Sequence, residues 1–167
     1  MTHRLILTRH AKSSYDDPAM SDLDRPLNPR GTRSAAVLGR WLTSRGDIPD
    51  EVLCSTARRT QDTWAGIAAE MAHHAELRLV PALYQAGPDA MLAVLQSASY
   101  RMVMLLGHNP GIAAFAAALC ARQPLDPEFA HYPTGATLVL EFDIPTWSEV
   151  QPGSGQVIDF ITPRSLE

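Results

Sequence analysis

The sequence predicts an α/β fold: a three-layer α/β/α sandwich whose sheet is mostly parallel, with at least one antiparallel strand. Three short apolar runs, each followed by a polar loop, indicate buried strands at residues 5–7, 51–54 and 102–106. Helical segments separate these runs, and such alternation is typical of a parallel sheet covered on both faces. Two further strand-like segments, residues 135–143 and 156–161, come late in the chain and supply the antiparallel member.

The first two helices follow from end signals and apolar spacing. Asn28 can cap a helix that has Pro29 at its first position, and apolar residues then recur at helical spacing until Gly46. Residues 57–71 predict a second helix with one apolar face. We expect the first of these helices to pack on the sheet.

Two more helices and one more strand complete the pattern. Residues 76–80 predict a strand that ends at a proline, and Pro88 opens a helix that continues through Leu95. Asn109 and Pro110 repeat the signal of a cap followed by a proline, which predicts a helix from there to about residue 121. Residues 11–27 form a polar loop that is too long for a simple connection, so we expect it to lie over a functional site.

Composition limits the class of protein. A chain of 167 residues with 46% hydrophobic side chains can bury one substantial core, which predicts a single domain over residues 1–167. The formal charge of -4 argues against nucleic acid or an anionic membrane as partner. No apolar stretch approaches the roughly 18 residues that span a bilayer, and we expect a cytoplasmic protein. Cys54 and Cys120 lack metal-ligand spacing and are expected to be buried thiols.

Cations and imidazoles follow three of the predicted strands. Arg9 and His10 come directly after the first strand, Arg59 follows the second, and His108 follows the run at residues 102–106. If these strands are parallel neighbours, all four side chains meet at one edge of the sheet. Arginine binds phosphate oxygens bidentately, and imidazole can attack phosphorus and carry it covalently. The sequence therefore predicts a phosphoryl-transfer site that needs no metal and no cofactor.

The same segments resemble the histidine phosphatase superfamily, which includes the phosphoglycerate mutases, and within it the small SixA-type phosphohistidine phosphatases. The resemblance covers nearly the whole chain, at residues 9–13, 22–31, 55–63, 106–110, 132–135 and 147–160. It implies a phosphoglycerate mutase-like fold and an enzyme that is a phosphatase. It also implies that His10 is the nucleophile.

The residues themselves support the same roles. One ring nitrogen of His10 must face phosphorus, and the other is best held by donating to a backbone carbonyl, which fixes the tautomer. Arg9 and Arg59 are expected to clamp the phosphoryl oxygens as charge shifts between the entering and leaving groups. His108 is expected to contact the phosphoryl group from the other side, where a protonated form would add positive charge.

Arg58 and Arg59 are adjacent, so the register needs a reason. The family pattern places its arginine four positions after a serine and four before a threonine, and Arg59 satisfies both distances, from Ser55 and from Thr63. Arg58 would then point to the surface, or to the pocket rim. A register error of one residue would exchange the two roles.

Four more residues are candidates for substrate binding. Arg25 lies on the loop before the first helix and is as consistent with a solvated arginine as with a ligand contact, and Asp22 can orient it. Lys12 and Ser13 follow the nucleophile closely enough to touch substrate, although a lysine in a polar loop is often only solvated.

No convincing carboxylic acid is present to protonate an alkoxide leaving group. Imidazole, with a reference pKa of about 6.5, leaves as a neutral base once its other nitrogen is protonated. The sequence therefore favours a phosphorylated protein histidine as substrate. The open alternative is a small-molecule phosphomonoesterase acting on a small phosphorylated substrate. A non-catalytic phosphate-binding module is disfavoured, because both histidines and the arginines are present.

Overall fold

The computed structural model describes residues 2–167. Four strands and four helices alternate along the chain, and two late strands and a short fifth helix follow. The strands are β1 (Thr2–Arg9), β2 (Glu51–Ser55), β3 (Glu76–Val80), β4 (Met102–Gly107), β5 (Thr137–Asp143) and β6 (Gln156–Ile161). The helices are α1 (Pro29–Arg45), α2 (Arg58–Ala68), α3 (Pro88–Gln96), α4 (Gly111–Leu119) and α5 (Pro163–Leu166).

All six strands form one sheet in the order β3-β2-β4-β1-β5-β6. Strand β4 lies between β1 and β2 and runs parallel to both. Strand β5 is antiparallel to both of its neighbours. The predicted sheet, mostly parallel with one antiparallel member, is thus confirmed, and the three strands expected to be parallel neighbours are so.

Alternate residues of the strands pack into two apolar cores, one on each face of the sheet. In β1, Leu5 and Leu7 belong to the core under α3 and α4, whereas Ile6 belongs to the core under α1 and α2. Side chains of a strand alternate between faces, so a strand buried on both sides reads as a continuous apolar run. The result is the predicted three-layer α/β/α sandwich.

Helix α1 begins and ends where its sequence signals predict. The Asn28 side chain accepts a hydrogen bond from the Gly31 amide at 2.8 Å, with Pro29 at the first helical position. Gly46 ends the helix with a φ of 73°, a left-handed conformation that glycine adopts without steric cost. The Asn28 amide at the start of this helix donates to the Lys12 carbonyl, so the start of the helix helps to position the segment after β1.

The start predicted for α4 is wrong. The helix begins at Gly111, and the Asn109 side chain does not cap it. Instead, Asn109 Nδ2 donates to the carbonyls of His131 and Tyr132, at 2.9 and 3.1 Å. The side chain is therefore held by a distant chain segment, and its Oδ1, the atom that would accept in a cap, has no hydrogen-bond partner among the described residues. Within residues 2–167, no helix is long and apolar enough to cross a membrane.

Candidate active site

The two histidines follow paired ends of neighbouring strands. Arg9 is the register partner of Gly107, so His10 and His108 stand next to each other just beyond β1 and β4. The His10 amide donates to the Gly107 carbonyl at 3.2 Å, which continues the strand pairing by one residue. Their ring centroids are 5.4 Å apart. The fold thus delivers both imidazoles to the carboxyl edge of the parallel strands.

His10 is buried and held in one tautomer. Its Nδ1 lies 2.6 Å from the Ala11 carbonyl, and because a carbonyl only accepts, Nδ1 carries the proton and donates. Nε2 is then the nitrogen with a free lone pair. Burial lowers the pKa of His10 to about 3, and the charge of Arg9 contributes in the same direction. The ring is consequently neutral, and nucleophilic, at neutral pH.

His108 is also buried and neutral at neutral pH. Burial lowers the pKa of His108 to about 4, and Arg59 is the next cause. Its Nε2 is hydrogen-bonded to Ser55 Oγ at 2.7 Å, so the end of β2 fixes the ring that follows β4. Its Nδ1 is buried and has no partner among the described residues.

Arg59, and not Arg58, turns into the protein. The Arg59 side chain is 6% exposed, whereas the Arg58 side chain is 58% exposed and lies 3.6 Å from Asp62. Successive residues of a helix differ by about 100° in direction, so only one of two adjacent arginines can face the site. Thr63 fixes this first turn of α2, because its hydroxyl donates to the Arg59 carbonyl at 2.7 Å and accepts from the Ala11 amide at 3.0 Å.

Asp22 lies in the loop at residues 11–27 and accepts hydrogen bonds from three side chains. Its backbone carbonyl and Oδ2 accept from Arg59 at 2.7 and 3.0 Å, and its Oδ1 accepts from Arg25 at 3.1 Å. The Tyr84 hydroxyl also donates to Oδ2. The Tyr84 hydrogen bond, followed by those of Arg25 and Arg59, lowers the pKa of Asp22 to about 2. Asp22 is therefore a firmly ionised acceptor.

Arg25 is nearly buried and fully engaged by its own loop. Besides Asp22, it donates to Ser13 Oγ at 2.6 Å and to the Ser14 carbonyl at 3.1 Å. Its guanidinium carbon lies 4.1 Å from the centre of the Tyr15 ring, which is exposed. The predicted orientation of Arg25 by Asp22 is present.

These side chains surround an open cavity of about 590 Å³. Of the predicted site residues, Arg9, His10, Lys12, Ser13, Arg25 and Arg59 line it. His108 and Asp22 are not among the lining residues, but His108 packs beside His10 and Asp22 accepts a hydrogen bond from Arg59. The Nε atoms of Arg9 and Arg59 are buried and have no partner among the described residues. Buried donors are normally satisfied, so this cavity is suited to an anion with several acceptor oxygens.

Some site residues were not identified from the sequence. Ser55 and Thr63 served only to set a register, yet both make the contacts described above. Tyr84 packs edge-on against the His108 ring, with centroids 5.5 Å apart, and no local pattern indicates this. The exposed Tyr15 and Asp16 at the cavity rim were also missed.

The described residues contain no group of three or more histidine, cysteine, aspartate or glutamate side chains that could hold a metal ion. Positive charge at the cavity comes from Arg9, Lys12, Arg25 and Arg59. Burial lowers the pKa of Arg9, but an arginine keeps its proton at any physiological pH.

The sequence is similar to a family model and to several known proteins. The sequence model of the histidine phosphatase superfamily (branch 1) matches residues 5–85. An uncharacterized protein of Mycobacterium tuberculosis is 35% identical over 163 residues, which cover 93% of this chain and 99% of that protein.

Solved structures extend the similarity to the whole fold. The SixA structure from Nakamurella multipartitia is 30% identical, with a TM-score of 0.83, and the match covers 98% of this chain and 97% of that one. The SixA structure from Agrobacterium tumefaciens is 26% identical, with a TM-score of 0.79 over 96% and 98% of the two chains.

Proposed function

Because the chain belongs to the histidine phosphatase superfamily, in its SixA-type branch, and is a phosphatase, we propose that it hydrolyses phosphohistidine side chains of proteins through a covalent intermediate on His10. Its substrate is phosphorylated, as that family requires. The two SixA structures compared above are named as candidate phosphohistidine phosphatases, which supports this substrate class. The free, buried thiols of Cys54 and Cys120 fit the cytoplasm as the compartment of action.

The orientation of His10 carries the proposal. With Nδ1 donating to the Ala11 carbonyl, the Nε2 lone pair is free, and His10 lines the same cavity as Arg9 and Arg59. Nε2 attacks phosphorus, a bond forms between Nε2 and phosphorus, and the bond from phosphorus to the substrate nitrogen breaks. Water then attacks the phosphorylated His10, inorganic phosphate leaves, and Nε2 regains its lone pair. The Ala11 carbonyl stabilises the ring while it carries the phosphoryl group.

Arg9 and Arg59 would neutralise the phosphoryl oxygens during both steps. Each has an unpartnered buried Nε, and Arg59 has its remaining nitrogens directed by Asp22. Preorganised donors of this kind stabilise charge without reorganising at the moment of reaction. His108 would donate to a phosphoryl oxygen once the anion raises its pKa from about 4, since a nearby negative charge favours the protonated ring.

The other candidates take different parts in the proposal. Lys12 and Ser13 line the cavity and would contact the substrate. Arg25 and Asp22 would act mainly through their neighbours, because the donors of Arg25 already serve Ser13, Ser14 and Asp22. Asp22 in turn holds Arg59. Both are positioning residues in this scheme.

The leaving group selects among substrates. Asp22, with its pKa lowered to about 2, cannot supply a proton near neutral pH. Asp24 is exposed and accepts from the Ser21 hydroxyl at 2.8 Å. Asp16 lies exposed at the rim, whereas catalytic acids are usually kept protonated by burial. A neutral imidazole leaving group does not depend on such an acid, and this favours phosphohistidine over alkyl phosphates.

The alternative, a small-molecule phosphomonoesterase, rests on one observation. The Tyr84 hydroxyl donates to Asp22 and its ring packs edge-on against His108, so one hydroxyl donor lies among the residues that adjoin the cavity. If that hydroxyl protonates an alkoxide, ordinary sugar phosphates become substrates.

The two candidates differ in how the rate depends on the leaving group. Phosphate release is measured from a phosphohistidine peptide and from a series of aryl, alkyl and sugar phosphates. We expect the rate to rise steeply as the leaving group becomes a weaker base, with phosphohistidine and aryl phosphates far ahead of alkyl phosphates. The His10→Ala variant is the control, and it should neither turn over these substrates nor retain labelled phosphate.

A flat series would overturn the phosphohistidine assignment. Alkyl and sugar phosphates would then react as fast as aryl phosphates, and Tyr84→Phe should restore a steep dependence if its hydroxyl is the proton donor. Substantial covalent labelling of His10→Ala would refute His10 as the nucleophile.

A further inference from the structure

A basic groove leads from the phosphoryl cavity along α1. We infer that it docks acidic side chains that flank the phosphorylated residue of a protein substrate. The groove is defined by Lys12, Arg30, Arg33 and Arg164. The inference rests on the proposed function, since it describes how a protein carrying phosphohistidine is recognised.

Adjoining cavities form the groove. A cavity of about 260 Å³ is lined by Lys12, Arg30 and Arg164, and it shares Lys12 and Thr134 with the phosphoryl cavity. On its other side, a shallow cavity of about 690 Å³ shares Arg30 and includes Arg33. A ligand anchored at His10 can therefore continue along this path over the surface of α1.

The groove cations have no carboxylate partner. Among the described residues, none of the four forms an ion pair, whereas the next arginine on α1, Arg40, lies 3.1 Å from Glu70. Two carboxylates, Glu128 and Glu167, also line the 260 Å³ cavity, so the four cations exceed the lining acids. This positive surface stands out in a chain whose formal charge is -4.

The position of these arginines on the helix works against stability. Arg30 is the second residue of α1 and Arg33 is the fifth. The first turn of the helix contains no acidic residue. The N-terminus of a helix carries partial positive charge, and a cation there costs roughly 0.3–1 kcal/mol where an acid would be favourable. Packing does not require Arg30 or Arg33 either, because both are exposed. Neither helix stability nor packing therefore accounts for arginines at these two positions, whereas binding of an anion does.

Carboxylates on a protein fit the groove better than the second phosphate of a metabolite. The adjoining cavities are open and extend beyond the phosphoryl cavity, which suits a chain or surface with several spaced charges. Charge pairs of this kind mainly set specificity and association rate, and they weaken as salt screens them.

The test uses three synthetic phosphohistidine peptides, identical except for flanks of four glutamates, four glutamines or four lysines. We expect kcat/KM for the glutamate peptide to exceed that of the glutamine peptide about tenfold at low salt, and the lysine peptide to be poorest. The preference should largely disappear at about 1 M salt, where the Debye length is about 3 Å.

A charge-reversal variant then locates the preference. Arg30→Glu combined with Arg33→Glu should abolish the preference for the glutamate peptide while leaving turnover of para-nitrophenyl phosphate within about twofold. The same substitutions place acids near the start of α1, so the melting temperature should stay the same or rise. A purely structural role for the two arginines predicts a fall instead. Arg122→Glu, at an exposed arginine beyond the C-terminal end of α4, is the matched control and should keep the preference.

The outcomes separate the groove from the proposed function. Equal hydrolysis of all three peptides overturns the groove and leaves the function standing. If no peptide is hydrolysed, unphosphorylated versions of the peptides are tested as inhibitors of para-nitrophenyl phosphate hydrolysis, which probes the groove alone. Stronger inhibition by the glutamate peptide, lost in the double variant, supports the groove. A different result would mean that the groove binds a second phosphate of a metabolite and not a protein. The enzyme would then prefer fructose 1,6-bisphosphate to fructose 6-phosphate, the double variant would lose this preference, and no peptide would be preferred.

Discussion

At the residue scale, Arg59 is held between the cavity and the loop above it. Its terminal nitrogens donate to the carbonyl and carboxylate of Asp22, while its Nε is buried and has no hydrogen-bond partner among residues 2–167. This arrangement fixes the guanidinium before substrate arrives. The side chain loses little conformational freedom on binding, which is where a preorganised clamp gains its advantage.

Removing this clamp should cost much more than removing its neighbour. By comparison with losing one oxyanion-hole donor, Arg59→Ala should lower turnover of an aryl phosphate by on the order of 10²–10³. Arg58→Ala is the matched control, because its side chain is 58% exposed and its one ion pair within residues 2–167 is with Asp62. Turnover of this variant should stay within a fewfold. A larger loss at Arg58 would mean that the segment after Ser55 is read one residue out of register.

The sequence predicts residues whose role follows from a strand end or a spacing. His10, His108 and Arg59 fall in this group, because each needs only its own element and the position of that element in the sheet. Tyr84 does not. Its contacts with His108 and Asp22 depend on the single 3-10 turn Pro81–Leu83, which follows β3, lying close to the loop at residues 11–27, and no local sequence pattern predicts this contact.

At the element scale, the start of α1 is docked on the backbone beside the nucleophile. The Asn28 amide donates to the Lys12 carbonyl at 3.0 Å, and a Cβ on Gly31 would lie 2.0 Å from that same carbonyl oxygen. The helix can approach this closely only because residue 31 has no side chain. The position of Lys12 and Ser13 therefore depends on a glycine in the helix that follows them.

A methyl group at this contact should disturb both stability and activity. Alanine favours a helix by about 1 kcal/mol over glycine, yet overpacking against rigid backbone costs about 1–3 kcal/mol. We expect Gly31→Ala to lower the free energy of unfolding in urea and to reduce aryl phosphatase activity at least tenfold. Gly87→Ala, where a Cβ meets nothing within 4 Å, is the control. Equal effects at both positions would remove the docking contact as the cause.

Helix ends illustrate which elements the sequence determines. Both ends of α1 were predicted because their signals act within one turn. The start of α4 was wrong because Asn109 bonds to carbonyls more than twenty residues away. Helix α2 was predicted to residue 71 and ends at Ala68, since an apolar face alone does not mark where a helix stops.

At the scale of the whole molecule, the site exists because β1 and β4 are neighbours. From the sequence, β1, β2 and β4 as parallel neighbours is one possible arrangement. The sequence does not indicate that β4 lies in the middle, which places His108 directly beside His10. Strand order depends on contacts between distant segments, and nothing local encodes it. That residues 1–167 form a single domain stays a prediction, supported by the one sheet that joins all six strands.

The buried histidines should make the whole fold sensitive to mild acid. Burial lowers the pKa of His10 to about 3 and that of His108 to about 4, whereas an unfolded histidine titrates near 6.5. Above pH 6.5 both states are neutral and the histidines contribute nothing. As pH falls from 6.5 towards 4, the unfolded chain takes up protons that the native site refuses, so stability falls. At pH 5 the loss is about 2 kcal/mol for each histidine.

Urea unfolding at pH 7 and pH 5 measures this loss, and a single domain should give one cooperative transition. His10→Gln should reduce the loss by about half, because one of the two refused protons is gone. His74→Gln, at an exposed histidine before β3, is the control and should keep the whole loss. Asp22 does not interfere at pH 5. Because its pKa is lowered from 3.8 to about 2, its contribution to stability is lost only as the pH falls below about 4. If His10→Gln and the unsubstituted protein lose the same stability, burial does not lower the pKa of His10 in the native protein.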